Sequence, residues 1–576
     1  MGLLNSALHI GRTALLSYQG ALQVVGNNIS SAGSPDYTRL TPQLDPQQGL
    51  SLSRGLQPGA GVALTAIQRN VDAALEDRLR SAIGGQQAAL TRQATLTELE
   101  TQFDDVTGTG VASQLRAFFN SFDELQNSPE DIAVRELAVA NAAALAGAVQ
   151  SHRARLIELG ASTDRQIAGL VEQTNELVGQ LRDLNERITR EEAGGPAQAT
   201  GLRDQRDGVL RDLSELFDLT VHEQPNGALN VYIGSEALVQ GGFSRGLIAV
   251  ESVDGEFRRT TVRFADTSGE VPMLGGKIGG LVVSRDREAY ARVADLDRFA
   301  SAVIQEVNHT HVNGQGLIGM SSTTGARDVL ATDVPLDGAS AGLGGGLQSG
   351  SFHIVVTDDA TQTPVAYRIE VTLDGTTGGT TLDSLVASIN STVTGVTASA
   401  TTDRRLQLTA DTGVTFSFGH DGASARPDSS GILAALGLNT FFDGSDGTNI
   451  AVNESIVSEP RLIAAARTSL PGDGTNAGQI AALDSAASRL LNGVSLGGYY
   501  NQMVSGVSIS AADAGDDATA ADTIVFSLRA QRESVSGVSL DEEAVSLIKF
   551  ERSFQGVSRF VSVVDDLIGE LVSLVR

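Results

Sequence analysis

The two ends of the chain carry matching apolar seams, and these limit the fold more than any other feature. Near the N-terminus Leu4, Leu8, Gly11, Leu15, Tyr18, Leu22, Val25 and Ile29 follow alternating steps of four and three. Near the C-terminus Leu547, Phe550, Phe554, Val557, Val561, Val564, Ile568, Leu571 and Val575 follow the same rhythm. Such steps average 3.5 residues, the period at which a helix keeps one narrow stripe facing a partner helix. Ser539 and Glu542 have capping-box spacing, and Asp541 to Glu543 suit the positive end of a helix dipole. A helix is therefore expected from near Leu540, roughly 50 Å long. Two helices of an ordinary bundle would show seams like these. Stripes reaching both extremities fit better with a coiled coil joining the two termini, because free ends normally fray. The leftover apolar positions Leu3, Val24, Val563 and Leu574 are then expected to face neighbouring copies.

Composition narrows the partners. The 576 residues can bury a sizeable core and should divide into two to four domains. Aromatic residues are only 4% and tryptophan is absent, while glycine reaches 64, which points to long helices and glycine-punctuated strands. A formal charge of −28 argues against nucleic acid and against an anionic membrane surface. With no cysteine, disulfides, thiolate metal sites and cysteine nucleophiles are excluded. The opening "MGLLNSALHIGRTALLSYQG" lacks a basic segment ahead of an apolar one, so no Sec signal is expected. No unbroken apolar run of about 18 residues suggests a spanning helix.

Between the seams the pattern changes repeatedly. "NNISSAGSPDYTR" (Asn27 to Arg39) abandons the helical rhythm, and Ser34-Pro35-Asp36-Tyr37 reads as a type I turn. From Gly59, "GAGVALTAIQRNVDAALEDRLRSA" reads as a β segment leading into a helix. Helices follow on either side of a turn at Ser128-Pro129, and Leu177, Leu181, Leu184 and Ile188 share a further helical face. Leu202 to Gly234 reads as a helix and then a hairpin turned at Asn226-Gly227, and helix returns after Gly275. From about Met320 to Val457 Gly, Ser and Thr dominate, with strands at "SFHIVV", "VAYRIEVTL", "GVTASA", "RRLQLTA" and "VTFSF" and a helix at "TLDSLVASI". The expected fold is a multidomain α+β chain. It comprises a terminal helical coiled coil (1–58 and 521–576), a long-helix core with β-hairpins (59–319 and 458–520), and an inserted β-rich outer domain (320–457).

The Asn27–Arg39 stretch resembles the signature of the bacterial flagellar axial proteins, the rod, hook and hook-associated family. Asn27, Asn28, Ile29, Pro35, Tyr37 and Arg39 match that signature, whereas Ser31, Ser34 and Asp36 depart from its usual Asn, Thr and Gly. Asp204-Gln205-Arg206-Asp207, "GGKIGGL" and the Val307-Asn308…His311…Gly314 segment resemble the central region of hook-associated members, as do "LAALGLNTFFDGSDGTNIAVNESI" and "SGVSLDEEAVSLIKFERSF". The resemblance implies a structural adaptor connecting hook to filament, assembled through its terminal helices, with no cofactor. It also implies partners: copies of the chain in a tubular assembly, the hook protein, a second hook–filament junction protein, and a cytoplasmic export chaperone on the C-terminal region. Export would use the flagellar type III route, giving an extracellular location. Another axial protein would share the termini but lack the central motifs.

A secreted hydrolase or adhesin would need a site, and the sequence offers none that holds together. Gly-x-Ser-x-Gly occurs around Ser340 and Ser495, but neither follows the hydrophobic strand of a nucleophile elbow. His309 and His311 face apart at spacing two and read as a solvated helix terminus rather than a metal site. "GLGGGL" lacks the Lys-Ser/Thr of a phosphate loop.

Overall fold

The structure is a computed structural model that describes residues 2–34, 37–48, 59–103, 108–193, 198–272, 275–343, 347–373, 375, 378–422 and 424–574. Its contacts divide the chain into two compact units. One comprises Met1–Thr95, Ala161–Arg285 and Ala512–Arg576, and the other Leu96–Gly160 and Asp286–Ala511.

The first unit holds both chain ends. The N-terminal helix, Gly2–Ser31, is followed by strands Leu40–Pro46 and Val62–Arg69, which pair antiparallel with a bulge at Gln43/Leu44. The C-terminal helix spans Leu540–Leu574, starting where the acidic turn predicts. The body of this unit is a four-stranded antiparallel sheet (Thr220–Glu223, Leu229–Ile233, Glu236–Gln240, Phe243–Ser244) packed against helical residues such as Ile167, Val171, Leu181 and Leu213. Helix Thr200–Leu216 and helix Gly276–Val283 close the same core. Gly276 sits at φ +65°, and a Cβ there would lie 2.3 Å from the Leu216 carbonyl oxygen. Only glycine permits that approach, which accounts for the Gly275-Gly276 pair.

The second unit is built on helix Val111–Asn127, on the first part of helix Ile132–Glu192 and on helix Tyr290–His311. Helix Ile132–Glu192 is 61 residues long, and Tyr290–His311 follows a π-helical turn at Ser284–Ala289. The alanine-rich start of Ile132–Glu192 is long and apolar enough to cross a membrane, but its Ala138, Ala142, Leu145 and Val149 are buried inside the protein. Phe118, Phe122, Phe441 and Phe442 form a cluster of tilted and edge-to-face rings with centroids 5.0 to 5.8 Å apart, the spacing aromatic pairs prefer.

The insert forms two three-stranded antiparallel sheets. One orders Pro364–Val371, Gly350–Asp358 and Val414–Phe418; the other orders Val396–Ala400, Leu406–Ala410 and Ser322–Thr324. Helix Leu382–Thr392 carries a capping box from Thr381 and Ser384 and buries Leu382, Leu385 and Ile389 against both sheets' apolar faces. The five strands read from sequence are all present, and Ser322–Thr324 joins them as an edge.

Candidate assembly site

The N- and C-terminal helices pair antiparallel. Tyr18 meets Phe550 with ring centroids 6.4 Å apart, a Cβ on Gly11 would lie 2.4 Å from Val561, and Asn28 bonds Glu543. Leu8, Leu15, Tyr18 and Leu22 are half-buried along this line, and Val25 is buried. On the opposite helix Phe550, Phe554, Val557, Val561 and Ile568 are half-buried and Val564 is buried. The side chain of Leu4 and all of Val575 lie outside the described residues, as do Pro35 and Asp36 of the expected turn. The Tyr37 amide nevertheless donates to the Ser34 carbonyl at 3.2 Å, the bond that closes a four-residue turn.

Three seam positions depart from expectation. Ile29 is exposed because the inward place at the end of the helix is taken by Asn28, which is 1% exposed. Leu571 is exposed in the last turn of its helix. Leu547 stands on the seam's flank, with half-buried Ser546 sharing the inward turn. Val24, expected to face other copies, is buried. It continues a second stripe of the N-terminal helix that lies on the strand pair. Ser17 Oγ donates to the Val62 carbonyl at 3.0 Å and accepts from the Leu64 amide at 3.1 Å, and Gly20 abuts the Leu64 side chain.

Three of the signature residues, Asn28, Tyr37 and Arg39, converge where the helices meet. Asn28 acts as a surrogate strand: its Nδ2 donates to the Leu40 carbonyl at 2.8 Å and its Oδ1 accepts from the Leu40 amide at 3.0 Å. The Tyr37 hydroxyl donates to the same Oδ1 at 2.8 Å, and Asn28 Nδ2 also reaches Glu543 Oε2 at 3.0 Å. Arg39 pairs with Glu543 at 2.8 Å and with Glu542 at 2.6 Å, while its amide donates to the Ser536 carbonyl at 2.9 Å. Asn27 is exposed and takes no part in this cluster's hydrogen bonds. Glu542, read from sequence as a capping-box partner, reaches instead across to Arg39, and the Ser539 hydroxyl accepts from its amide at a long 3.5 Å. Behind the cluster Arg69 bridges Asp204, at 2.7 Å, and Asp207. Burial pushes the Tyr37 hydroxyl up to about 12, helped by the charges of Asp204 and Glu543. Burial likewise raises the Asp204 carboxyl, outweighing Arg69 beside it. The arrangement is a clamp between chain segments.

The other motifs resolve into structural roles. Ser495 Oγ accepts from the Gly498 amide at 3.1 Å, opening helix Leu496–Ser536, and Ser340 is exposed in a short 3₁₀ turn. His309 is exposed, but His311 is not the solvated terminus expected. Its Nδ1 lies 2.7 Å from the Asn439 carbonyl and its Nε2 accepts from the Ala464 amide at 2.9 Å. Sequence spacing could not show this, because both partners come from more than a hundred residues away. Among the described residues no group of three or more acidic or histidine side chains could hold a metal.

Three segments of the chain match known protein families. Residues 96–326 match the family of the flagellar hook-associated protein FlgK helical domain, residues 351–412 the flagellin hook IN motif, and residues 529–574 the flagellar basal body rod FlgEFG protein C-terminal family. By their descriptions all three are families of flagellar proteins. Within that class the chain resembles flagellar hook-associated protein 1 from end to end. The protein of that name from Escherichia coli is 25% identical over 99% of this chain and 100% of its own length. That of Bacillus subtilis is 23% identical over 98% and 97%. The solved flagellar hook junction protein FlgK from Burkholderia pseudomallei shares the fold, with a TM-score of 0.50 and 16% identity over 80% of this chain and all of its own.

Proposed function

We infer that the chain is a structural junction protein of the bacterial flagellum, connecting hook to filament. The observation that carries this reading is the antiparallel terminal pair closed by Asn28, Tyr37 and Arg39, in a chain whose full length resembles hook-associated protein 1. In this role the seam residues from Leu8 to Val25 and from Phe550 to Ile568 are assembly elements rather than a private core. Each helix keeps further apolar side chains in solvent, among them Leu16, Val545, Ile548 and Val563. Exposed apolar surface of this kind is characteristic of chains that bury it against others.

The partners are then copies of the chain in a tubular assembly, the hook protein on one side and a second junction protein on the other. A cytoplasmic chaperone covers the C-terminal helix before export, and the finished protein stands outside the cell. It performs no catalysis. Removing the chain from its host and restoring it in full tests the reading. Swimming and filament attachment should be lost on removal and restored by the full chain. Unchanged swimming after removal would overturn it.

A further inference from the structure

We propose that Glu543 is a latch that makes ordering of the N-terminal signature segment conditional on docking of the C-terminal helix. The latch rests on the pairing of the chain ends and not on the flagellar role. Glu543 is 2% exposed, and a carboxylate so buried is tolerable only when its charge and lone pairs are answered. The answers come from the other end of the chain, Arg39 on Oε1 and Asn28 on Oε2. The dependence also runs the other way. Without residues 536–543 Arg39 loses both carboxylates and the acceptor of its own amide, and the buried Asn28 amide loses one of its two acceptors. Tyr37 and Leu40 are held through that same Asn28.

The charged groups around the latch come from four elements. They are Arg39 from the signature segment, Glu542 from the C-terminal helix, Asp204 from helix Thr200–Leu216, and Arg69 from the second strand. Arg69 is engaged by Asp204 and Asp207, so Arg39 is the cation left for Glu543. Neither end can close with its polar groups satisfied while the other is undocked. The two ends therefore order in one step.

Amide hydrogen exchange on the full chain tests this. In the unaltered protein the Arg39 and Leu40 amides, bonded to the Ser536 carbonyl and to Asn28, should be protected. Glu543→Ala should raise their exchange on the order of 10- to 100-fold, the loss expected for charge-assisted bonds to a buried group. Glu543→Gln keeps the shape and one acceptor, so it should fall between and guards against misfolding of the alanine variant. Asp541→Ala removes an exposed acid from the same helix turn and should leave both amides unchanged. The inference is overturned if Arg39 and Leu40 are unprotected in the unaltered chain. It is equally overturned if Glu543→Ala leaves their exchange unchanged, or if Asp541→Ala raises it as much.

Discussion

Acid should weaken the second unit through its buried histidines, and His311 isolates the effect. Its ring is fully buried, and its two hydrogen bonds fix the neutral tautomer with the proton on Nδ1. A proton added to Nε2 would face the Ala464 N–H, donor against donor. Burial pushes the ring down from 6.5 to about 4, and the nearby Arg135 charge adds to this against the pull of the Asn439 carbonyl. In the unfolded chain the ring protonates near 6.5. Below that pH the unfolded state binds more protons than the folded one, and stability falls as pH falls. At pH 5 the unfolded ring is almost wholly charged and the folded ring mostly neutral, so about 2 kcal/mol present at pH 7.5 is lost. His311→Gln can donate and accept in the same two directions without titrating. Its baseline stability should drop, since it gives up the ring contact with Phe441. Exchange-derived opening free energies for helix Tyr290–His311, corrected for intrinsic rates, should then fall about 2 kcal/mol less between pH 7.5 and 5 than in the unaltered chain. Equal losses in the two proteins would show that His311 does not carry the acid sensitivity. His152 and His420, also held at about 4 by burial, remain in both and cancel in the comparison.

Three further outcomes are expected. Gly11→Leu adds a side chain whose Cβ alone would lie 2.4 Å from Val561 and should undock the terminal helices, read as lost protection along Leu540–Leu574 with the insert unaffected. Gly276→Ala combines a left-handed φ with a clash against the Leu216 backbone, and should cost the first unit at least about 2 kcal/mol in denaturant unfolding. Asp428 is buried and accepts from the amides of Ser430, Gly431 and Leu433 and from the Ser430 hydroxyl, so Asp428→Ala should destabilise the insert by about 2 to 4 kcal/mol, measured by exchange at Phe416 and Phe418.

What was legible in the sequence was what periodicity carries. The C-terminal seam could be read because Phe550, Phe554, Val557, Val561 and Val564 repeat along one helix face and bury against one partner. The N-terminal helix has two partners, and its second stripe sets Ser17, whose hydroxyl bonds a strand, and Gly20, which leaves room for the Leu64 side chain, in line with Val24. A hydrophobic pattern cannot register such a face. The insert's strands were visible from their β-branched runs, but not their division into two sheets, which depends on which edge each run finds.

The clamp shows the same division more sharply. Asn28, Tyr37 and Arg39 could be recognised as a recurring signature, and Glu543 could be seen as an acid favouring a helix start. Neither observation reveals that they answer one another across more than five hundred residues. Local preference and long-range pairing agree at this point: an acid in the first turn of the C-terminal helix suits that helix's dipole, and the same acid receives Arg39 and Asn28. A residue serving both levels is hard to replace. Glutamine would keep an acceptor but lose the charge that both the dipole and Arg39 favour, and aspartate would shorten the reach to Arg39. This double use explains why so polar a cluster can sit at the closing point of an otherwise apolar helix pair. Its desolvation is offset within the cluster, while the seam beyond it remains free of charge from Phe554 through Val557, Val561 and Val564.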